Sequence, residues 1–195
     1  MKKIALLSLL IITISAVFAL DIDADILRKV NTDRIKSLDV FFIALSFSAE
    51  YLHLFIPLGI IFWGVIKKNN IIRNKGYFIF IILIINSLIS FVLKNSFDRV
   101  RPFAAYDFVE KISVGGSSSF PSGHTMSAIT LAFAVSLTFK NKYLQIFLFA
   151  WAILVGYSRM HCGVHYFTDV LAGAIVGLTA TYGFYLLFKK NKWLI

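Results

Sequence analysis

The sequence predicts an all-α polytopic membrane protein: a bundle of about six transmembrane helices, with an interfacial helix between the first two spans. Three observations carry this. Of the 195 residues, 58% are apolar and only 15% are charged. The apolar residues come in blocks of roughly the length a hydrocarbon core requires, and the basic residues sit mostly between the blocks. No run alternates apolar and polar residues as a barrel strand does, and an isolated strand would leave its backbone groups unpaired in lipid. The composition excludes a disordered chain, which needs low hydrophobicity and high charge. The net charge of +10 is spread between apolar blocks, unlike the soluble basic surface of a nucleic-acid-binding domain. The length fits one membrane-embedded domain, 1–195. A single cysteine, Cys162, allows no intramolecular disulfide.

Six segments qualify as spans: Ile4–Leu20, Ala49–Ile66, Tyr77–Leu93, Ser122–Phe139, Tyr143–Met160 and Tyr166–Phe188. At about 1.5 Å per residue each covers roughly 25–35 Å. The first reads as a retained helix. Lys2-Lys3 followed by an apolar run ending Val17-Phe18-Ala19 also fits a cleaved secretory signal, and either way residue 21 emerges on the far side. The segment Asp21–Ser48 is too polar to span. Ile22, Ile26 and Val30 recur at helical spacing within it, which predicts a helix lying in the membrane interface. Asp21, Asp23 and Asp25 alternate as in a calcium loop. The glycine and the bidentate glutamate of such a loop are missing, so they read as acids in a helix's first turn.

Charge assigns the sides. Lys2, Lys3, Lys67, Lys68, Arg73, Lys75, Lys140, Lys142, Lys189, Lys190 and Lys192 fall on one side with no acidic residue among them. All 10 acidic residues fall on the other. Excess lysine and arginine marks the cytoplasm. Both termini are therefore expected inside, with the long loops Asp21–Ser48 and Lys94–Pro121 outside. In a bacterium this is the periplasmic or extracytoplasmic face of the inner membrane.

Three polar clusters then fall on the outer face, where ionisable residues are costly and tend to have a function. The first runs from Lys94 to Arg101-Pro102, at the end of the third span. It could be no more than a snorkelling stop-transfer run. The second is Phe120-Pro121-Ser122-Gly123-His124, at the start of the fourth span. Its plain reading is a proline turn and a serine cap. Its chemical reading is a helix N-terminus offering N–H groups to an anion, with Gly123 permitting close approach and His124 beside it as an acid. The third is Ser158-Arg159 through His165 to Asp169. His165 and Asp169 stand four apart on one helix face, so the carboxylate can orient the imidazole and leave its other nitrogen a free lone pair.

Rival readings fit less well. His161, His165, Asp169 and Cys162 could ligate a metal. Lys94, Arg101 and Arg159 converge on the same region, however, and a cationic pocket repels a metal ion and attracts an oxyanion. No metal or cofactor is expected. Ser122 lacks the strand–turn–helix elbow of a serine nucleophile. His53 reads as structural, and His161 receives no chemical role.

The constellation fits phosphoryl transfer. Cationic clamps and a helix N-terminus hold a phosphate. Unprotonated His165 attacks phosphorus, Asp169 stabilises the cation that forms, and His124 protonates the leaving oxygen. A phospho-histidine results, which water hydrolyses.

Lys94-x6-Arg101-Pro102, Pro121-Ser122-Gly123-His124 and Ser158-Arg159-x5-His165-x3-Asp169 resemble the three signature motifs of the type-2 phosphatidic acid phosphatase superfamily, in full and in order. The resemblance covers residues 77–185, the expected catalytic core. It implies a six-helix bundle with a metal-free site at the outer membrane surface. It also implies His165 as nucleophile, Asp169 as its partner, His124 as acid, and phosphate contacts from Lys94, Arg101, Ser122, Gly123 and Arg159. Soluble vanadium-dependent haloperoxidases are similar in these motifs, but six spans argue against one. A site at the lipid–water boundary points to a lipid phosphate as substrate. Undecaprenyl diphosphate is the first expectation, ahead of the phosphates of lipid A, phosphatidylglycerol phosphate and phosphatidic acid. The competing class is a non-enzymatic phosphate-lipid transporter or sensor.

Overall fold

A computed structural model describes residues 22–116 and 118–190. All regular structure among them is helical. Seven α-helices follow in order: α1 (Asp23–Thr32), α2 (Asp39–Ile66), α3 (Asn70–Phe97), the single turn α4 (Pro102–Ala105), α5 (Gly123–Thr138), α6 (Lys142–His161) and α7 (Phe167–Lys190). A 3₁₀ turn, Lys36–Leu38, leads into α2.

Four helical stretches are long and apolar enough to cross a membrane: Lys36–Ile66, Asn70–Ala105, Lys142–His161 and Phe167–Lys190. The expected fourth span is α5, whose 16 residues are shorter than these. The expected first span, Ile4–Leu20, lies outside the described residues. Among the described residues the count of six is therefore not confirmed.

Helix α5 is the axis of the bundle and packs against α2, α3, α6 and α7. Ala128, Leu131, Ala132 and Ala134 are fully buried, as is Thr130, so the helix is enclosed on all sides. Phe78, Ile79 and Ile82 of α3 and Ala152 and Val155 of α6 complete the main core. Phe55, Leu58 and Phe62 of α2, Phe91 and Val92 of α3, and Ile146, Phe147 and Ile153 of α6 point outward, forming the apolar coat that lipid covers.

The turns opposite the polar clusters are set by asparagine. The Asn69 side chain accepts from the N–H of Ile72 and starts α3. The Asn141 side chain accepts from the N–H groups of Tyr143 and Leu144 and starts α6. Lys67, Lys68, Lys140, Lys142, Lys189 and Lys190 gather at this end, away from the clusters.

Two expectations change. Helix α2 begins at Asp39, ten residues before the expected start at Ala49, because Val40–Ser48 is apolar enough to continue it and its serines turn inward. Ser46 is buried, and Ser48 accepts from the Trp151 indole at 2.9 Å. The interfacial segment therefore reduces to α1 and the turn that follows. Asp23, expected to be only a first-turn acid, is buried and bonded to other elements, as described below.

Candidate active site

The end of α3 is stopped by Asp98, in the left-handed region at φ 40°, whose N–H returns to the carbonyl of Lys94. Arg101 is extended before Pro102, which opens α4. The chain then loops back over the bundle end. Lys94 Nζ donates to the Ser118 carbonyl at 2.6 Å, and Arg101 Nη2 reaches the same oxygen at 3.4 Å. These two cations, 7 residues apart in the first motif, are thus brought to one point.

His165 sits between α6 and α7, its N–H bonded to the carbonyl of Arg159 at 3.3 Å. Its Nδ1 lies 3.4 Å from Asp169 Oδ2, and its Nε2 lies 3.4 Å from Arg101 Nη1. A guanidinium can only donate, so Nε2 faces it as an acceptor and Nδ1 carries the hydrogen toward Asp169. Burial pushes the His165 pKa down to about 3, against the opposing pull of Asp169, so the ring is neutral at neutral pH. A buried neutral imidazole with its lone pair turned toward a guanidinium has the form that a nucleophile for an oxyanion-bearing centre requires.

Asp169 is fully buried and satisfied on every side. It accepts from Ser119 Oγ at 2.5 Å, from the N–H of Tyr166 at 2.9 Å and from Arg99 Nη1 at 2.7 Å. Arg99 also bonds Thr168 Oγ1 and, through Nη2, Asp23 Oδ2, both at 2.7 Å, and lies over the Tyr166 ring at 3.9 Å. Asp23 in turn accepts from the N–H and the hydroxyl of Thr168. Helix α1 is thereby tied to the start of α7 through Arg99.

The start of α5 meets α7 at the backbone. The N–H of Ser122 donates to the Asp169 carbonyl at 3.0 Å. A Cβ at Gly173 would stand 2.7 Å from the Ser122 carbonyl, so glycine is required for this approach. The plain reading of Ser122 is a helix cap, and the resemblance makes it a phosphate contact. Its hydroxyl instead pairs with Thr125 Oγ1 at 2.9 Å and makes no cap bond. Gly163, at φ 70°, turns the chain from α6 toward His165 where a Cβ would strike the Glu110 carbonyl at 2.5 Å.

Arg159 is buried. Its Nη1 bonds Ser46 Oγ and its Nη2 bonds the Val114 carbonyl at 3.0 Å, while Nε is buried with no protein partner. His124 pairs with a residue the sequence reading did not single out: its Nε2 is 2.9 Å from Glu50 Oε1 of α2. His161 turns away to Asp39 Oδ1 at 2.9 Å, beside the Arg34–Asp39 pair. His53 donates from Nδ1 to the Ala49 carbonyl at 2.8 Å, consistent with a structural role.

All the expected site residues lie at one end of the bundle. Arg99, Ser119, Asp23 and Glu50 complete their contacts. The signal for Glu50 was available as an acid at the mouth of an apolar span. Arg99 had none, because its partners are far off in sequence.

A family model matches residues 75–193: the PAP2 superfamily. The chain belongs to this superfamily. The PAP2 protein is 30% identical over 186 residues to a lipid A 4'-phosphatase of Porphyromonas gingivalis, covering 91% of this chain and 78% of that one. It is 34% identical over 103 residues to undecaprenyl-diphosphatase BcrC of Bacillus subtilis, covering 53% of this chain and 50% of that one. A solved structure, the transmembrane PAP2 type phosphatidylglycerolphosphate phosphatase of Bacillus subtilis, superposes with a TM-score of 0.71 at 25% identity, over 96% of each chain. The PAP2 protein is thus an integral membrane lipid phosphatase, and the transporter or sensor reading is set aside.

Proposed function

We propose that this phosphatase cleaves a lipid phosphate without a metal ion, through a phospho-histidine at His165. Lys94, Arg101 and Arg159, with Ser122 and the backbone N–H groups at Gly123, hold the phosphate oxygens. His165 Nε2 attacks phosphorus and the bond to the leaving oxygen breaks. His124 gives that oxygen its proton. Water then attacks phosphorus as the phosphorus–Nε2 bond breaks, His124 takes the water's proton, and inorganic phosphate leaves a neutral His165. Asp169 holds the Nδ1–H tautomer and stabilises the imidazolium. The single observation that supports this most is the disposition of His165, with Nδ1 on a buried carboxylate and Nε2 on the Arg101 guanidinium.

The whole chain, 1–195, acts as one unit with its catalytic core in 77–185. The site faces the outside of a bacterial inner membrane, opposite the lysine-rich turns. A lipid A phosphate takes the place of undecaprenyl diphosphate as the leading substrate. The lipid A 4'-phosphatase of Porphyromonas gingivalis is 30% identical over 91% of this chain, a somewhat longer and stronger match than an undecaprenyl-diphosphatase of Sulfolobus acidocaldarius, 28% identical over 80%. Phosphate release by the purified protein from lipid A, undecaprenyl diphosphate and phosphatidylglycerol phosphate, beside His165→Ala, tests the proposal. Release from at least one lipid, lost in the variant, is expected. Equal release by both proteins would refute it.

A further inference from the structure

Beside His124 lies a cavity of about 210 Å³ between α2, α3 and α5. Its lining includes Glu50, Asn86, Ser87, Ser90 and His124, and no lysine or arginine among the described residues. Asn86 is 1% exposed, and neither its amide nitrogen nor its oxygen has a hydrogen-bond partner among the described residues. A buried, wholly unsatisfied carboxamide on an apolar helix is costly, and its presence on a cavity wall calls for a ligand group that both donates and accepts.

The position of Asn86 relates it to the phosphate site. Asn86, Ser90 and Lys94 are spaced four apart on α3, so they form one stripe about 12 Å long. Ser90 Oγ lies against Gly123, 3.5 Å from where a Cβ would stand. A second cavity of about 240 Å³ adjoins the first, shares His53 and Ser87 with it, and is lined by Leu54, Leu83, Ile84 and Leu88. Leu54, Ile84 and Leu88 are exposed on the outer face of the bundle. From Lys94 the stripe therefore runs from cation, past hydroxyl and amide, to an apolar groove.

We infer that the Asn86–Ser90 cavity is the leaving-group subsite, and that it selects lipid phosphomonoesters whose alcohol carries neutral hydroxyl or amide groups over lipid diphosphates. This rests on the proposed roles of His165 and His124. The leaving oxygen lies beside His124, so whatever bears it enters this cavity. In a diphosphate that group is a second phosphate. It would meet the half-exposed Glu50 carboxylate and, apart from His124, no cationic side chain among the described residues of the cavity wall, an arrangement that disfavours a second phosphate. A sugar or glycerol bearing hydroxyls or an amide can satisfy both ends of the Asn86 carboxamide and place its acyl chains in the groove.

The test is a comparison of kcat/KM for phosphate release by the full chain in detergent. Four substrates serve: lipid A, phosphatidylglycerol phosphate, phosphatidic acid and undecaprenyl diphosphate. Wild type is expected to favour the first two, the sugar and the hydroxylated glycerol, and their order distinguishes those sources. Asn86→Leu, close in volume, should lower kcat/KM on the favoured lipid roughly 10- to 100-fold, as expected when a site built for hydrogen bonding loses a partner. Undecaprenyl diphosphate should change less than about threefold. Ser90→Ala should shift the ratio in the same direction and guards against misfolding of the leucine variant. A wild-type preference for the diphosphate, or an equal effect on all four lipids in both variants, overturns the inference. Full activity of His165→Ala would instead overturn the catalytic reading beneath it.

Discussion

Arg99 Nη1 lies 2.7 Å from Asp169 Oδ1, and its guanidinium joins the proposed catalytic carboxylate to a second acid, Asp23, on another helix. Asp169 is fully buried. Without Arg99 its charge would rest on hydrogen bonds alone, and breaking a buried pair costs about 3–5 kcal/mol. Arg99→Met is therefore expected to lower the thermal midpoint by several degrees and kcat by about 100-fold. Asp23→Asn should lower the midpoint with a smaller loss of kcat. Thermal unfolding and kinetics on the two variants check this, and wild-type behaviour of Arg99→Met would contradict it.

The cations should outweigh the acid. Charge stabilisation of the transition state supplies most of the rate in phosphoryl transfer, and general acid catalysis about 10²–10⁴-fold. Arg101→Ala and Arg159→Ala are expected to lose more kcat/KM than His124→Ala. The reverse order would disprove the ranking.

Glu50 holds His124 at 2.9 Å and positions it. Glu50→Gln is expected to slow hydrolysis of an alkyl phosphate about tenfold. For an activated aryl phosphate, whose leaving oxygen needs no proton, kcat/KM, which reads only the first step, should be nearly unaffected. Equal losses on both substrates would assign Glu50 a merely structural part.

His165 should stay neutral in acid. Its pKa is pushed down to about 3 by burial, whereas unfolding returns it to about 6.5. Unfolding therefore takes up a proton between these values, and this contribution to stability falls away as pH drops from about 6.5 toward 3. Imidazole nitrogen NMR should show His165 neutral at pH 5. Half-protonation near pH 6.5 would contradict the buried geometry.

Chelation should leave the rate unchanged. On the proposed mechanism, Lys94, Arg101 and Arg159 supply the charge that a metal would otherwise provide. Assay in excess chelator, with and without added divalent cations, checks this, and a loss restored by a metal would revive the metal reading.

Much of this architecture was legible in the sequence, because hydropathy fixes helices and the motifs fix their polar ends. The bounds of α5, α6 and α7 fall within two residues of the expected ones. What sequence could not supply was contact between distant segments. Arg99 meets Asp23 and Asp169 only because α1 folds against α7, and no local pattern marks that. Helix α2 starts ten residues early because serines that lower hydropathy are turned inward. Asn86 did carry a signal, a lone carboxamide in an apolar span, but its meaning depends on a cavity that only packing creates.

The most direct test of the account is to trap the intermediate. Rapid acid-free quenching of the enzyme during turnover of a phosphate-labelled lipid, followed by peptide mapping, should find acid-labile, alkali-stable phosphate on the peptide bearing His165, absent from His165→Ala. Phosphate on Ser122, or turnover with no protein-bound phosphate at any time, would contradict the nucleophilic role of His165.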